Sequence, residues 1–169
     1  GTVNVTAAGV ISFTPSLNYN GAVSFPYAIN DGNGGTATAN QNITVNAVND
    51  NPVAVDDSYT VAEEGTVALL PLALDTDVDG NTLAITSING TALTPGTAQV
   101  IAVTNGTVNV TAAGVISFTP SLNYNGAVSF AYVINDGNGG TATANQNITV
   151  TAVNDNPVAV NDIYTVAEE

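Results

Sequence analysis

The sequence contains no lysine, arginine or histidine, so its 14 acidic residues give a formal net charge of -14. This argues against a nucleic-acid partner, because contacts to phosphates need cationic side chains. It argues against an anionic membrane surface for the same reason. The absence of lysine also excludes lysine–asparagine isopeptide crosslinks. A divalent cation is the natural partner of such a chain.

Cysteine is absent too, which excludes disulfides and thiolate metal sites. Without histidine, cysteine or lysine, the usual nucleophile–base pairs of enzymes are missing. A carboxylate pair drawn from Asp75, Asp77 and Asp136 is the remaining catalytic option, of the kind glycosidases use. We expect no enzyme, because the near-identical repeats described below suit length and avidity better than a single active site.

Long apolar runs are missing as well: no stretch of about 18 apolar residues is available to span a bilayer. No secretory signal peptide is visible. Hydrophobic residues make up 44% of the chain, which argues against disorder although only 8% of residues are charged. The first residues, Gly1 to Val5, have the pattern of the middle of a sheet, so we expect the sequence to be part of a longer chain.

The sequence repeats itself. Residues 106–169 repeat residues 1–64 with a shift of 105 positions, and only five positions differ. Those pairs are Pro26/Ala131, Ala28/Val133, Asn46/Thr151, Asp56/Asn161 and Ser58/Ile163. The 41 residues from 65 to 105 occur once. A period of about 100 residues is the size of one β-sandwich domain.

The stretch Val48-Asn49-Asp50-Asn51-Pro52 and its copy Val153-Asn154-Asp155-Asn156-Pro157 divide the repeats. Proline cannot donate to a strand ladder and restricts the residue before it, so each stretch is expected to end a sheet. We therefore predict the C-terminal half of one repeat in residues 1–51, a complete repeat in 52–156 and the start of another in 157–169.

Alternating apolar and polar residues predict seven or eight strands in the complete repeat, and no segment has helical periodicity. The predicted strands are 57–61, 66–70, 83–88, 98–103, 107–110, 115–118, 127–134 and 142–152. Asn89-Gly90 and Asn105-Gly106 are hairpin turn signals between them. The predicted fold is an all-β sandwich with Phe118, Phe130, Tyr132 and Tyr124 in or near its core.

The acids avoid the bodies of these strands. The nine acids of the repeat lie at strand ends, turns or linkers: Asp56, Asp57, Glu63, Glu64, Asp75, Asp77, Asp79, Asp136 and Asp155. One interpretation is the ordinary preference of acids for turns. The other is that the fold gathers most of them at one end of the sandwich, where a cation would stabilise them.

The segment Asp75-Thr76-Asp77-Val78-Asp79-Gly80 is the strongest local signal for calcium, because it places carboxylates at positions 1, 3 and 5 of a loop and glycine at position 6. Position 12 is Thr86 rather than glutamate and no helix flanks the segment, so it is not an EF-hand. The alternative is an Asp-rich turn with Asx hydrogen bonds. The glycine-rich turn Asn135–Gly140 offers Asp136 as a further ligand, beside its evident role as a hairpin turn.

Four motifs in order resemble a known family: Y-T-V-A-E-E-G-T-V, L-D-T-D-V-D-G-N-T-L, F-A-Y-V-I-N-D-G-N-G-G-T-A-T and I-T-V-T-A-V-N-D-N-P. Together they resemble the bacterial cadherin-like tandem repeats of large secreted adhesins of the RTX type. The resemblance implies tandem Ig/cadherin-like Greek-key β-sandwiches with Ca²⁺ between successive domains. It also implies that Asn49, Asp50 and Asn51 face acids of the following domain, namely Glu63 or Glu64, Asp75, Asp77 and Asp136. It implies the same role for Asn154, Asp155 and Asn156, with Glu168 or Glu169.

One cadherin motif is missing. The region Thr119 to Gly126, where cadherins carry an acidic motif before the penultimate strand, contains no acid. We therefore expect one or two ions per junction, fewer than in cadherins. Asp79 is a spare acid available to complete a local site.

The resemblance implies an extracellular, secreted or cell-surface structural repeat: a calcium-stiffened extender in cell adhesion or biofilm formation. Its partners are then the neighbouring repeats of the same chain. The alternatives are a repeat subunit of a multi-chain extracellular filament or matrix fibre, in which other copies are partners, and an accessory module of a secreted enzyme.

Overall fold

A computed structural model describes residues 1–169, which form thirteen β-strands and no helix. The strands are β1 (Thr2–Val5), β2 (Ile11–Thr14), β3 (Gly21–Asn30), β4 (Thr36–Val45), β5 (Asp57–Ala62), β6 (Val67–Leu69), β7 (Ala84–Ile88), β8 (Thr91–Ala92), β9 (Gln99–Val103), β10 (Gly106–Val110), β11 (Ile116–Pro120), β12 (Gly126–Asn135) and β13 (Thr141–Thr151). No segment forms a helix long and apolar enough to cross a membrane.

The first half-repeat consists of two antiparallel hairpins, β1–β2 and β3–β4, each a separate two-stranded sheet. The rings of Phe13 and Phe25 meet with centroids 6.3 Å apart and so connect the two hairpins. No other strand is hydrogen-bonded to either hairpin. Most of their apolar side chains are exposed as a result.

Strands β5 to β13 form an Ig-like β-sandwich of two sheets. One sheet has the order β6-β11-β10-β9 and the other has the order β5-β13-β12-β7-β8. All the pairings are antiparallel except that of β5 with β13, which is parallel. The chain changes sheets after β5, β6, β8 and β11, so strands distant in sequence become neighbours.

The core forms because the alternating strands turn one face inward. Along β10, β11 and β12 every second residue is buried, the pattern of a strand with one face on a core. Phe118 and Phe130 pack with ring centroids 6.1 Å apart, Tyr132 is fully buried, and Tyr124 packs at the edge of the core. The predicted all-β sandwich and its aromatic core are confirmed.

The predicted strands of the complete repeat are all present, and the short strand β8 is an addition. It follows Asn89 and Gly90, whose φ angles of 47° and 76° are those of a tight hairpin turn. Two residues are too few to show alternation, which is why the sequence pattern missed this strand.

The strand β13 sets the length of the domain. Its eleven residues span about 36 Å at ~3.3 Å per residue. The strand begins after the turn that contains Asp136 and ends just before Asn154, Asp155 and Asn156, here called the second linker. The residues Asn49, Asp50 and Asn51, here called the first linker, contact the Asp136 turn at the opposite end.

Candidate functional site

The first linker is hydrogen-bonded to two turns of the complete repeat. The Asn49 side-chain amide donates to Asp136 Oδ2 over 2.6 Å. The Asn81 amide donates in turn to Asn49 Oδ1 over 2.9 Å. Asn49 therefore connects the hairpin turn after β12 with the acidic turn between β6 and β7.

Backbone contacts hold the linker in the same place. The Asp50 amide donates to Asp79 Oδ2 over 2.8 Å. Val53 and Thr76 form an isolated antiparallel bridge, with N···O distances of 2.8 and 3.0 Å. The acidic turn is thus paired with the chain that follows the linker, so its carboxylates are fixed close to the junction.

Asp136 is buried, and its carboxylate organises the hairpin turn. Its Oδ1 accepts the backbone amides of Asn138 and Gly140 at 2.8 and 2.9 Å. A Cβ atom on Gly140 would collide with this carboxylate and would lie 3.0 Å from Asn51 Oδ1, so only glycine fits there. The hydrogen bond from Asn49, followed by those from the Asn138 and Gly140 amides, lowers the pKa of Asp136.

Asp77 has one satisfied carboxylate oxygen and one unsatisfied. Its Oδ1 accepts the backbone amides of Asp79 and Asn81 at 2.9 and 3.2 Å, an Asx-type turn. Its Oδ2 is buried and has no hydrogen-bond partner. Buried polar atoms almost always have a partner, and this chain has no basic side chain to supply one.

Asp75 is placed differently from Asp77, although the two are separated by one residue. Its Oδ1 accepts the Val55 amide at 2.8 Å. The Tyr132 hydroxyl lies 3.0 and 3.1 Å from the two Asp75 carboxylate oxygens and 2.9 Å from the Pro71 carbonyl. Burial, and then the neighbouring Asp75 carboxylate, raises the pKa of Tyr132. Asp75 therefore anchors the turn to the sandwich.

A second acidic group lies at the other end of the domain. Glu63, Glu64 and Asp155 have carboxylate oxygens within 4.8 Å of one another, and Glu63 is buried. The Val153 amide donates to Glu63 Oε1 over 2.5 Å. The expectation that Glu63 or Glu64 faces the first linker is wrong. Because β5 runs parallel to β13, it carries both glutamates away from the first linker and towards the second.

The structure therefore divides the predicted ligands between two places. Asp79, Asp136 and the first linker meet at one junction, with Asp77 in the same turn. One group of three acids has carboxylate oxygens within 4.8 Å of one another, namely Glu63, Glu64 and Asp155. The predicted group of Asp75, Asp77 and Asp136 is not as close as this. Asn154 donates only to the adjacent Asp155 carbonyl, and Asn156, Glu168 and Glu169 are exposed.

Sequence reasoning missed three participants. Asn81 directly follows the D-x-D-x-D-G segment, and only the fold shows that its amide binds the first linker. Tyr132 is predicted as a core ring, and its hydroxyl also binds Asp75. Gln146 is buried on β13 and donates to buried Asp57 over 2.6 Å, while its own Oε1 has no partner. An amide at an inward position of an alternating strand was the available signal.

Comparison with known proteins identifies the family. The sequence-family model of the bacterial Ig domain matches residues 1–44 and 49–149 of this chain. The chain therefore belongs to the bacterial Ig domain family, which agrees with the sandwich described above. The match does not single out the cadherin-like group that the motifs resemble. No curated protein matches the chain.

One similar solved structure is an endo-fucoidan hydrolase from glycoside hydrolase family 107, with 20% sequence identity and a TM-score of 0.37. The alignment covers 90% of this chain and 22% of the hydrolase. The chain thus spans about a fifth of the length of that enzyme. A similarity at this level carries no argument about activity.

Proposed function

We propose that this chain is a non-catalytic, extracellular structural repeat of the cadherin-like type, and that Ca²⁺ stiffens the junctions between its domains. In this role the sandwiches act as extenders that hold other parts of an adhesin away from a surface. The bacterial Ig family supports a repeat module. The cadherin-like role and the metal are our proposals.

The observation that carries the proposal is the unpartnered, buried Oδ2 of Asp77. The surrounding turns and the first linker carry further oxygens that could bind the cation: Asp136 Oδ2, Asn51 Oδ1 and the carboxylate of Asp79. Hard cations such as Ca²⁺ bind six to eight oxygens from carboxylates, amides, carbonyls and water. In a chain with a net charge of -14 and no basic side chain, such a cation is the available counter-charge.

Asn49 provides a way to pass between a metal-free and a metal-bound junction. Its amide now donates to Asp136 and accepts from Asn81. Rotation of the Asn49 amide by half a turn would direct its oxygen towards Asp136, where a cation would bind, and its NH₂ towards Asn81. The Asn81 amide can rotate in the same way and accept that hydrogen bond. The hydrogen bond between Asn49 and Asn81 is then kept in both states, whereas the 3.2 Å hydrogen bond from the Asn49 amide to the Asp50 carbonyl is given up.

A cation held by the linker and both turns would restrict hinging at the junction. Binding only to the folded, closed state stabilises it by RT ln(1 + [L]/Kd), about 2.7 kcal/mol at 100 times Kd. The cluster of Glu63, Glu64 and Asp155 is the corresponding proposal for the second linker. Asn154 and Asn156 would supply its amide oxygens.

The test is calorimetric titration of the 169-residue chain with Ca²⁺, followed by melting and small-angle scattering with and without chelator. We expect binding, a higher Tm with Ca²⁺ and a narrower distribution of shapes. Asp77→Asn should weaken binding about tenfold or more, since it removes the charge on the unpartnered oxygen. Asp79→Asn should do less, because an asparagine oxygen can still accept the Asp50 amide.

The internal repeat supplies a matched control. Asp31 occupies the same turn sequence as Asp136 and accepts the same turn amides, but no linker side chain reaches it. Asp136→Asn should weaken Ca²⁺ binding, whereas Asp31→Asn should leave it unchanged. Equal effects of the two substitutions, or identical melting and scattering with and without chelator, would contradict the proposal.

A further inference from the structure

Several asparagines of the chain are followed directly by glycine, and the fold holds these pairs in different ways. They are Asn20, Asn33, Asn89, Asn105, Asn125 and Asn138. Such pairs are prone to cyclise, because glycine has no Cβ to hinder the approach of its backbone nitrogen to the preceding side chain. The reaction needs a glycine amide that donates no hydrogen bond and an asparagine side chain that is free to turn. The fold therefore decides which pairs react.

The pair Asn138-Gly139 meets both conditions. It lies in the hairpin turn between β12 and β13, where both residues are exposed and Gly139 has a φ of 105°. The Gly139 amide donates no hydrogen bond. The amides on either side of it both donate to Asp136 Oδ1, which holds the turn in place around the unpaired amide. Only the backbone amide of Asn138 is hydrogen-bonded, so its side chain is free to turn.

Three of the other pairs are held in strands. Gly21, Gly106 and Gly126 are the first residues of β3, β10 and β12, and each is paired with a residue of a neighbouring strand. The backbone nitrogen of each glycine cannot turn towards the preceding side chain until the end of the strand opens. Because such opening costs free energy, we expect these pairs to react slowly.

Two further pairs that lie in turns are restrained by side-chain hydrogen bonds. In Asn89-Gly90 the asparagine side chain donates to the Ala102 carbonyl over 3.0 Å and is not free to turn. The pair Asp136-Gly137 is capable of a similar cyclisation, but its glycine amide donates to Asn135 Oδ1 over 2.6 Å. Neither pair therefore meets both conditions.

We propose that Asn138 is a site of spontaneous deamidation, with water as the only co-reactant. The Gly139 nitrogen attacks Cγ of the Asn138 side chain, and the new N–C bond closes a succinimide ring. The bond from Cγ to Nδ2 breaks, and the NH₂ group leaves as ammonia with the proton of the Gly139 amide. Water then opens the ring at one of its two carbonyls, which gives aspartate or isoaspartate. Either product adds a negative charge close to Asp136.

The isoaspartate product also changes the path of the backbone. Its main chain runs through the former side chain, so one extra atom separates residues 138 and 139. The carboxylate of Asp136 accepts amides on both sides of this point, at 2.8 and 2.9 Å, and its other oxygen accepts the Asn49 amide of the first linker. The longer backbone cannot keep both turn amides at these distances. The turn therefore loosens at the carboxylate that the linker contacts, with or without a bound metal.

The first copy of the repeat contains the same turn. Asp31 Oδ1 accepts the amides of Asn33 and Gly35 at 2.8 and 2.9 Å, and the Gly34 amide between them donates no hydrogen bond. The Asn33 side chain makes one long hydrogen bond, of 3.4 Å, to the Asp31 carbonyl. We therefore expect Asn33 to react as well, somewhat more slowly than its copy in the complete repeat.

The test follows the folded 169-residue chain during incubation at physiological temperature and pH, by chymotryptic digestion and mass spectrometry. Cleavage after Tyr27 and Tyr132 gives peptides that begin with different residues, so the two copies of the turn are distinguished. We expect Asn138 to lose its amide first. Asn105 and Asn125 should react about tenfold more slowly or less, because a strand end must open before they react. In the isoaspartate form, hydrogen exchange at the Gly140 amide should become faster.

The same chain unfolded in urea is the control, because every Asn-Gly pair is then free to cyclise. The rates of all these pairs should then agree within about threefold. Asn138→Gln should abolish the change at this turn, since the longer side chain closes the corresponding ring much more slowly. Asn138→Asp adds the charge without the extra backbone atom and should leave exchange at Gly140 unchanged. If Asn138 reacts no faster than Asn105 in the folded chain, or if folding leaves the order of rates unchanged, the proposal is overturned.

Discussion

The two copies of the repeated sequence have nearly the same residues and the same hairpins but very different burial. Ile134 and Tyr132 are fully buried in the complete repeat, while the corresponding Ile29 and Tyr27 are 60% and 36% exposed. The pairing of β3 with β4 keeps the register that β12 has with β13. The local pattern therefore determines the hairpins, and the strands packed on them determine the core.

The glycine-rich hairpin turn, which contains Asp31 in the first copy and Asp136 in the second, shows the same effect at a single residue. Asp31 and Asp136 both accept amides of their own turn and have a lowered pKa, chiefly from those amides in Asp31 and from Asn49 in Asp136. Only Asp136 is buried, because only there does a linker lie across the turn. Identical motifs become a structural turn in one place and a candidate ligand in the other.

The largest effect is expected from removing the same ring from each copy. Phe118 is fully buried, so Phe118→Ala should destabilise the complete repeat by about 3–5 kcal/mol through lost burial and a cavity. Phe13→Ala removes a half-buried ring outside that core and should leave the main unfolding transition nearly unchanged. Denaturant unfolding of the two variants measures both.

Amide hydrogen exchange gives a check that needs no substitution. A two-stranded hairpin is marginally stable alone, so the amides of β3 should exchange much faster than their copies in β12. If Phe13→Ala cost as much as Phe118→Ala, or if the two strands were equally protected, the first half-repeat would have a core of its own. The difference in burial between the two copies would then not correspond to a difference in their stability.

The sequence was sufficient for the strands and the fold class because the signals for both are local, whereas the order of strands in the sheets is not. Alternation placed the strands, and Asn-Gly pairs and the proline linkers placed their boundaries. The inward residues of β11 and β12 are large and apolar, so Phe118, Phe130 and Tyr132 were predicted in the core. The site depends on contacts between distant segments, and its grouping could be predicted only in part.

The parallel pairing of β5 with β13 explains the error over the glutamates. Nothing in the local pattern of residues 57–64 tells which end of the sandwich Glu63 reaches, since that depends on strand direction. Likewise, alternation marks Gln146 as inward but does not say that Asp57 lies beside it. Whether Asp77 and Asp136 hold a metal stays a prediction.

A smaller effect is expected from removing one hydroxyl from each copy. Tyr132→Phe removes the group beside the Pro71 carbonyl and the Asp75 carboxylate, and it should cost about 1–3 kcal/mol because it leaves buried acceptors poorly satisfied. Tyr27→Phe should cost almost nothing, since that ring is exposed. Thermal unfolding of both variants makes the comparison. A similar loss in Tyr27→Phe would show that the hydroxyl matters in the hairpin itself.

The smallest effect concerns a carboxyl that is buried in one copy of the β5 sequence and exposed in the other. Asp57 is buried beside Gln146, while its copy Asp162 is exposed. Burial raises the pKa of Asp57 above its ordinary value of 3.8, and the Gln146 hydrogen bond opposes this only in part. Its charged form is therefore a cost to folding at neutral pH.

The sign of the pH dependence follows from that raised pKa. Above the folded-state pKa the cost is fully present, and it disappears as the pH falls through that value towards 3.8. Asp57→Asn removes the charge and offers an NH₂ to the unpartnered Gln146 Oε1, so it should stabilise the complete repeat by about 1 kcal/mol at pH 7. Part of this gain, the part due to charge, should vanish near pH 4.

The ionised form of Asp136 favours folding, because its pKa is lowered in the folded state, so its contribution to stability is lost as the pH falls. The lowered pKa confines this loss to lower pH. Asp162→Asn should be neutral throughout, and unfolding curves at pH 4 and pH 7 separate the two. A destabilising Asp57→Asn would mean that the ionised carboxylate is itself needed in the core, as a partner that a neutral amide cannot replace.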